Sequence, residues 1–254
     1  MGAVRGRRRR HPRVTQHQDV QIPRPGALPG YLAVPAGDGP WPGVVVLSDV
    51  LGMTRDLRDQ ADWLAAAGYL AVAPDLFFRG NKVRCLRRIV SDALKGYGQT
   101  FDDIDAARGW LAGRDDCTGR VGVLGFCMGG GFALQVVVGH GFAVASANYG
   151  GIPKGFTTFL DEACPIVGSY GAQDRSLRGT AAKLETMLSS AGVPHDVKEY
   201  PEAGHAFLND HDPGEFSALI VALSKLTGSH YHAPSAADAR QRILAFFAEH
   251  LAEG

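Results

Sequence analysis

The chain has 254 residues, of which 45% are hydrophobic and 20% charged, enough for one large globular domain or two small ones with a substantial core. Its formal net charge is zero, but residues 1–13 hold six arginines and no acid, so the remainder has 20 basic and 26 acidic residues. An acidic body argues against a broad nucleic-acid-binding surface, and no apolar run is long enough to predict a transmembrane helix.

The chain begins with a strongly basic segment, RGRRRRHPR at residues 5–13. Such a segment could be an arm for nucleic acid or anionic lipid. No apolar stretch follows it, so it resembles neither a secretory nor a twin-arginine signal. We expect residues 1–17 to be a disordered leader and residues 18–254 to form a single domain.

The four cysteines have neither Cys-x-x-Cys spacing nor the density of a disulfide framework; they are Cys85, Cys117, Cys127 and Cys164. Without an export signal, we expect a reduced, cytoplasmic protein. A free thiol in that compartment remains available for chemistry.

Short β-rich runs alternate with helical stretches along the chain. The predicted strands are 44–48, 69–74, 120–126, 142–149, 165–171 and 195–201. The predicted helices are 55–67, 84–95, 100–113, 128–139, 178–191 and 235–251, the last with Ser235 as its N-cap. The strands are nearly continuous apolar runs, as in a parallel sheet covered on both faces. We therefore predict an α/β fold with a mostly parallel twisted sheet, helices on both faces and ligands at the carboxyl ends of the strands.

The most informative motif is LGFCMGGG, residues 124–131, where a predicted strand meets a predicted helix. Gly125, Cys127 and Gly129 match the nucleophile-elbow pattern G-x-nucleophile-x-G, with cysteine in place of serine. The sharp turn needs small residues on both sides, and the helix N-terminus favours a thiolate. A buried free cysteine is the alternative, because cysteine often behaves as a small hydrophobe.

Two further reactive side chains each follow a predicted strand. Asp174 lies in SYGAQDRSL, where it could also cap a helix that begins near Leu177, and His205 lies in EAGHAF. The chain order nucleophile, acid, histidine is that of the α/β-hydrolase triad. The spacings of 47 and 31 residues leave room for the intervening elements. We therefore predict a Cys127–His205–Asp174 triad.

The triad residues and two backbone donors define the expected chemistry. His205 would pair with the thiol and then protonate the leaving group, while Asp174 orients the imidazole. The N–H groups of Met128 and Val50, the latter in the loop at 47–53, are candidates for an oxyanion hole.

These residues resemble the dienelactone hydrolase family of α/β-hydrolases over roughly residues 18–251. The resemblance rests on GFCMGG, SYGAQDRS, YPEAGHAF, VVVLSDVLG and LAAAGYLAVAPDLF. It implies a Cys-His-Asp hydrolase that opens enol lactones or related activated esters through a thioester acyl-enzyme, without metal or organic cofactor. The reaction that names the family converts dienelactone to maleylacetate.

Two positions depart from the family pattern. The family commonly has a glutamate that holds and activates the resting thiol; Asp49 stands there and could take that role or cap the loop. Members that act on dienelactone use two arginines for the substrate carboxylate. Arg79 matches the first, although it could also be a solvated surface charge, and Asn209 occupies the second position. Because one charge-assisted contact is lost, we expect a less acidic ester or lactone.

Other polar and aromatic residues carry weaker signals. Phe78, beside Arg79, is a candidate for lining the substrate pocket, whereas Phe77, Trp110 and Tyr149 fit core positions. The segment 208–233 contains four possible metal ligands without zinc-site spacing, so we predict no metal there: Asp210, His211, Asp212 and His230. A solvated loop with a short helix near 215–226, which could cover the active site or reach a neighbouring subunit, is the simpler interpretation.

The leading hypothesis is a cysteine-nucleophile hydrolase of small-molecule carboxylic esters or lactones. It would be a monomer or small homo-oligomer, without nucleic-acid or membrane partners. The alternative is a catalytically silent α/β-hydrolase fold that acts as a binding or thiol-sensing protein. Retention of three triad-type residues in the expected order argues against that alternative.

Overall fold

The computed structural model describes residues 16–158, 160–215 and 230–252. Its strands are β1 (Gln16–Ile22), β2 (Leu28–Val34), β3 (Trp41–Leu47), β4 (Leu70–Pro74), β5 (Cys117–Phe126), β6 (Val144–Asn148), β7 (Ile166–Gly171) and β8 (His195–Tyr200). Its α-helices are α1 (Arg55–Ala66), α2 (Lys82–Lys95), α3 (Gln99–Ala112), α4 (Met128–Gln135), α5 (Thr180–Ala191) and α6 (Ala233–Leu251). Short 3-10 turns occur at Leu160–Glu162, Arg175–Leu177 and Pro213–Glu215.

The strands form one eight-stranded sheet in the order β1-β2-β4-β3-β5-β6-β7-β8. Strand β2 is antiparallel to both β1 and β4, and the other six strands, β3 to β8, are mutually parallel. The predicted mostly parallel sheet is therefore confirmed. Its register places Leu47 beside Gly125 and Phe126 beside Asn148, so the carboxyl ends of β3, β5 and β6 are neighbours.

Two hydrophobic clusters cover the two faces of the sheet. Along β3, Val45 and Leu47 belong to one cluster while Val44 and Val46 belong to the other, as the period-2 alternation of a strand requires. The first cluster includes apolar residues of α2, α3, α4 and α5, and the second includes those of α1 and α6. Helices therefore pack on both faces, as predicted.

The first two strands were not among the predicted elements. Strand β1, QHQDVQI, is polar and mostly exposed, and β2 contains a proline and a glycine, which weaken a strand signal. Because β1 begins at Gln16, residues 16 and 17 of the expected leader belong to the sheet. Residues 1–15, and most of the helix expected near 215–226, lie outside the described residues.

Several helix ends differ from the prediction, and two of the differences have a physical reason. The last helix begins at Ala233 with His232 as its N-cap, so Ser235 lies inside the first turn, where its Oγ lies 2.8 Å from His232 Nδ1. A proline in that first turn suits an earlier start, because Pro fits the first positions of a helix. Helix α4 ends at Gln135, before the β-branched run that begins at Val136, rather than at residue 139.

Among the helices that the structure describes, none has both the length and the apolar character needed to cross a membrane.

Candidate active site

Cys127 occupies a sharp turn between β5 and α4. Its φ of 53° and ψ of −112° are unusual for a residue with a side chain, and such strain persists only when the surroundings enforce it. The glycines on either side explain how the turn closes. A Cβ on Gly125 would collide with the Gly129 carbonyl, and a Cβ on Gly129 would collide with the carbonyls of Leu47 and Ser48. The motif is thus a strand–turn–helix elbow in which these positions have no room for a side chain.

The start of α4 also packs closely against the loop after β6. The Cys127 N–H donates to the Asn148 carbonyl oxygen at 3.0 Å. A Cβ on Gly130 would lie 2.7 Å from the same oxygen and 3.1 Å from Gly150 Cα. Backbone contacts from two sides therefore fix the position of the sulfur.

Asp174 and His205 meet at the same edge of the sheet. Asp174, in the loop after β7, accepts at Oδ1 from the Ser176 N–H and hydroxyl at 2.9 and 2.6 Å. Its Oδ2 accepts from His205 Nδ1 at 2.6 Å, and its side chain is almost fully buried. The residue therefore caps the short turn after β7 and orients the imidazole at once, so the two interpretations of Asp174 are compatible.

The charges of this pair follow from its contacts. Although burial lowers the pKa of His205, hydrogen bonds to Asp174 and Cys127 and the charges of both residues raise it to about 10. Burial raises the pKa of Asp174, but the hydrogen bonds from His205 and Ser176 outweigh it and lower the pKa below its usual range. The arrangement favours an imidazolium between a carboxylate and a sulfur, and an adjacent imidazolium stabilises a thiolate.

Cys127 and His205 open into a cavity of about 570 Å³. The candidate oxyanion donors Val50 and Met128 both line it. Much of the remaining wall is apolar or uncharged and consists of Val90, Ala93, Leu94, Gly96, Gly131, Gln135, Tyr149, Gly151, Ile152, Pro153 and Leu177. The predicted nucleophile, base and oxyanion donors therefore line one solvent-open cavity.

Two cationic side chains on the cavity wall were not predicted from the sequence. Lys95 ends α2 and Lys154 lies in the loop after β6; both are exposed and line the cavity. Within the described part of the chain, neither ammonium has a carboxylate partner within ion-pair distance. Lys154 follows a predicted strand, and that position could have indicated a residue near the site. Lys95 lies at the end of a helix, and its place on the cavity wall depends on how α2 packs.

Asp49, the predicted thiol-activating residue, has other partners. Its Oδ1 accepts from the Leu51 N–H at 2.7 Å, and its Oδ2 accepts from His211 Nε2 at 2.8 Å. The first contact is the loop cap expected as an alternative. The contact with Oδ2 pairs Asp49 with His211, a residue that was predicted to lie in a solvated loop.

Arg79 and Phe78 do not line the cavity. Arg79 forms a bidentate ion pair with the fully buried Asp103, at 2.5 Å and 3.0 Å, and Arg24 pairs with the same carboxylate. The Arg79 guanidinium also lies 4.1 Å from the centre of the Phe78 ring. A buried carboxylate requires a compensating charge, so Arg79 is held in the fold. It faces neither the substrate pocket, as predicted from the sequence, nor solvent, which was the alternative.

Asn209 is also absent from the cavity wall, contrary to expectation. Its side-chain amide donates to Asp56 Oδ2 at 2.5 Å, and its oxygen accepts from the Tyr149 hydroxyl. Tyr149 is buried, lines the cavity and packs edge-on against His205 with 5.3 Å between ring centres. Of the aromatic residues assigned to the core, Phe77 is buried and Trp110 packs against the core, but Tyr149 serves both core and cavity.

In the three described ranges, no cluster of three histidine, cysteine, aspartate or glutamate side chains could hold a metal ion.

Comparison with known proteins gives a consistent result. Residues 28–251 match the model of the dienelactone hydrolase family. A Yersinia pestis protein named "Putative carboxymethylenebutenolidase" is 32% identical over 252 residues, covering 91% of this chain and 88% of its own length. The carboxymethylenebutenolidase of Rhodococcus opacus is 30% identical over 260 residues, covering 96% of both. The crystal structure of a "Putative Dienelactone Hydrolase" from Klebsiella pneumoniae aligns with a TM-score of 0.74 and 30% identity, over 92% of this chain and 98% of that one.

Proposed function

This chain belongs to the dienelactone hydrolase family and is a hydrolase of ester or lactone substrates, and from that premise we propose that it acts through a Cys127–His205–Asp174 triad and a thioester acyl-enzyme. One observation carries the proposal. The 2.6 Å His205–Asp174 contact holds the imidazole in the same cavity as the sulfur at the strained elbow.

Acylation begins with a thiolate and an imidazolium. The Cys127 sulfur attacks the acyl carbon, and the carbonyl electrons move to the oxygen, where the N–H groups of Val50 and Met128 stabilise the negative charge. As the intermediate collapses, the bond to the leaving oxygen breaks and His205 donates its proton to that oxygen. An ester releases an alcohol, whereas a lactone keeps the new hydroxyl on the same molecule as the thioester.

Deacylation uses the histidine in the opposite sense. His205, now neutral, accepts a proton from water as the water oxygen attacks the thioester carbon. The carbon–sulfur bond then breaks and returns the thiolate beside an imidazolium. The product is a carboxylic acid, and Asp174 stabilises the imidazolium in both halves of the reaction.

The cavity wall also bears on the substrate class. Because Arg79 and Asn209 lie elsewhere, Lys95 and Lys154 are, besides the His205 imidazolium, the cationic side chains that line the cavity in the described residues. The surrounding Val90, Leu94 and Ile152 offer apolar contacts. This combination supports an ester or lactone with an apolar body and an anionic group, which replaces our expectation of a less acidic substrate.

The test is turnover of p-nitrophenyl acetate and dihydrocoumarin by the wild type and by Cys127→Ala. We expect wild-type hydrolysis of at least one substrate and a loss of at least about 10³-fold in the variant, because the nucleophile is removed. Cys164→Ala is the matched control, since Cys164 is also a free, partly exposed thiol but burial raises its pKa to about 12. It should retain full activity. Wild-type inactivity on both substrates, or an active Cys127→Ala enzyme, would refute the proposal.

A further inference from the structure

A second aspartate–histidine pair lies next to the proposed triad. Asp49 directly precedes Val50, the candidate oxyanion donor, and its Oδ2 lies 2.8 Å from His211 Nε2. The two side chains are only 9% and 19% exposed. Solvent therefore screens their charges weakly, so the pair influences the charges around it.

A hydrogen-bonded network ties the histidine's segment to the start of α1. The Asp210 N–H donates to Asp56 Oδ1 at 2.8 Å, and the Asn209 amide donates to Asp56 Oδ2 at 2.5 Å. His211 Nδ1 lies 4.0 Å from the same Asp56 carboxylate. His211 is therefore held between two buried carboxylates, Asp49 and Asp56.

The network reaches the active site through Tyr149. Its hydroxyl donates to Asn209, and its ring contacts His205 and lines the cavity. Burial, followed by the charges of Asp56, Asp49 and Cys127, raises the pKa of Tyr149 well above its usual value. The loop that carries Asp49 also abuts the elbow: a Cβ on Gly129, two residues after Cys127, would lie 2.6 Å from the Ser48 carbonyl oxygen, and Val50 lines the cavity together with Cys127. Because like charges close together disfavour each other, an uncompensated carboxylate at Asp49 would disfavour a thiolate at Cys127.

We propose that His211 is a positioning residue that holds the Asp49 carboxylate in an ion pair and thereby preserves the reactive thiolate of Cys127. The inference rests on the proposed role of Cys127 as the nucleophile. In this account Asp49 does not activate the thiol directly; its charge is compensated by one histidine while His205 stabilises the sulfur.

The charged groups around His211 support its cationic form. Burial lowers its pKa, but the hydrogen bond to Asp49 and the charges of Asp49, Asp56 and Glu215 raise it above the usual value. On the outer side, the Arg55 N–H donates to the Glu215 carboxylate, so that acid is itself partly compensated. Among the described residues, the carboxylates of Asp49 and Asp56 thus favour the cationic imidazole more than Glu215 does.

The test measures the rate at which iodoacetamide alkylates Cys127 from about pH 5 to 10, followed by mass spectrometry of the Cys127 peptide. In His211→Gln, the pH midpoint should rise by about one unit, because a nearby like charge becomes uncompensated. The double variant Asp49→Asn/His211→Gln should return the midpoint to the wild-type value. General damage to the fold would not be repaired by a second substitution.

Two further variants make the assay specific. His211→Lys retains a cation and should keep the midpoint closer to the wild type than His211→Gln does, and His250→Gln, at the far end of α6, should leave it unchanged. The proposal is overturned if His211→Gln keeps the wild-type midpoint, or if the double variant shifts as much as the single one. Alkylation needs no substrate, so an unreactive Cys127 in the wild type would instead count against the proposed nucleophile.

Discussion

At the scale of single residues, the two oxygens of Asp174 serve different purposes. Oδ1 accepts from Ser176 and closes the turn after β7, while Oδ2 accepts from His205. The cap fixes the carboxylate, and the fixed carboxylate fixes the imidazole. The same residue therefore links a local backbone turn to the charge of the proposed general base.

Lys95 and Lys154 give a prediction about substrate binding. Lys95→Gln and Lys154→Gln should each raise KM for a carboxylate-bearing lactone by about two- to fivefold, the range of a solvent-exposed ion pair. Their kcat should change little, and KM for neutral p-nitrophenyl acetate should stay constant. Lys183→Gln, an exposed lysine of α5, is the control in the same steady-state assay. An equal rise of KM for the neutral ester would contradict recognition of an anionic group.

At the scale of elements, the elbow depends on close backbone contact between α4 and the loop after β6. A Cβ on Gly150 would overlap the backbone of Gly130, whereas a Cβ on the next residue, Gly151, would meet nothing within 4 Å. Neither glycine has a positive φ, so the two positions differ in space rather than in backbone conformation. Alanine substitutions at these two glycines therefore differ only in whether the new methyl group collides with the elbow backbone.

We expect Gly150→Ala to lower the free energy of unfolding by about 1–3 kcal/mol, because overpacking displaces the backbone of the elbow. Gly151→Ala should change it by less than about 0.5 kcal/mol, as is usual for surface substitutions. Urea denaturation followed by circular dichroism measures both values. Equal stability of the two variants would show that the close approach of α4 does not matter.

At the scale of the whole molecule, the sheet explains which site residues were predictable. Cys127, Asp174 and His205 each follow a strand, and parallel strands present such loops at one edge, so chain order and local sequence were sufficient to predict that these side chains lie close together. The partners of Arg79 and Asn209 were not predictable, because Asp103 and Asp56 approach them from other elements. Strand β1 was not predicted because an exposed edge strand carries little hydrophobic signal, and the buried β2 because its proline and glycine weaken a strand pattern.

The raised pKa of His205 and the lowered pKa of Asp174 make stability depend on pH. A histidine with a raised folded-state pKa stabilises fully below its unfolded value of about 6.5, and this is lost as pH rises towards about 10. Asp174, whose pKa is lowered in the folded protein, stabilises the fold at pH values above its ordinary pKa, and this stabilisation is lost on acidification. The excess Tm of wild type over His205→Gln should therefore be larger at about pH 6 than at about pH 10 in thermal unfolding scans. An excess that grows with pH would contradict the imidazolium assignment.

The proposed mechanism requires that the Cys127 sulfur carries the acyl group during hydrolysis. The most direct measurement mixes the enzyme with p-nitrophenyl acetate, stops the reaction in acid within the first turnover and determines the mass of the Cys127 peptide. We predict an added acetyl group on that peptide that hydroxylamine removes, as expected for a thioester, and none on the peptide with Cys164. Hydrolysis without an acetyl group on Cys127, or with an acetyl group on a different residue, would contradict the account.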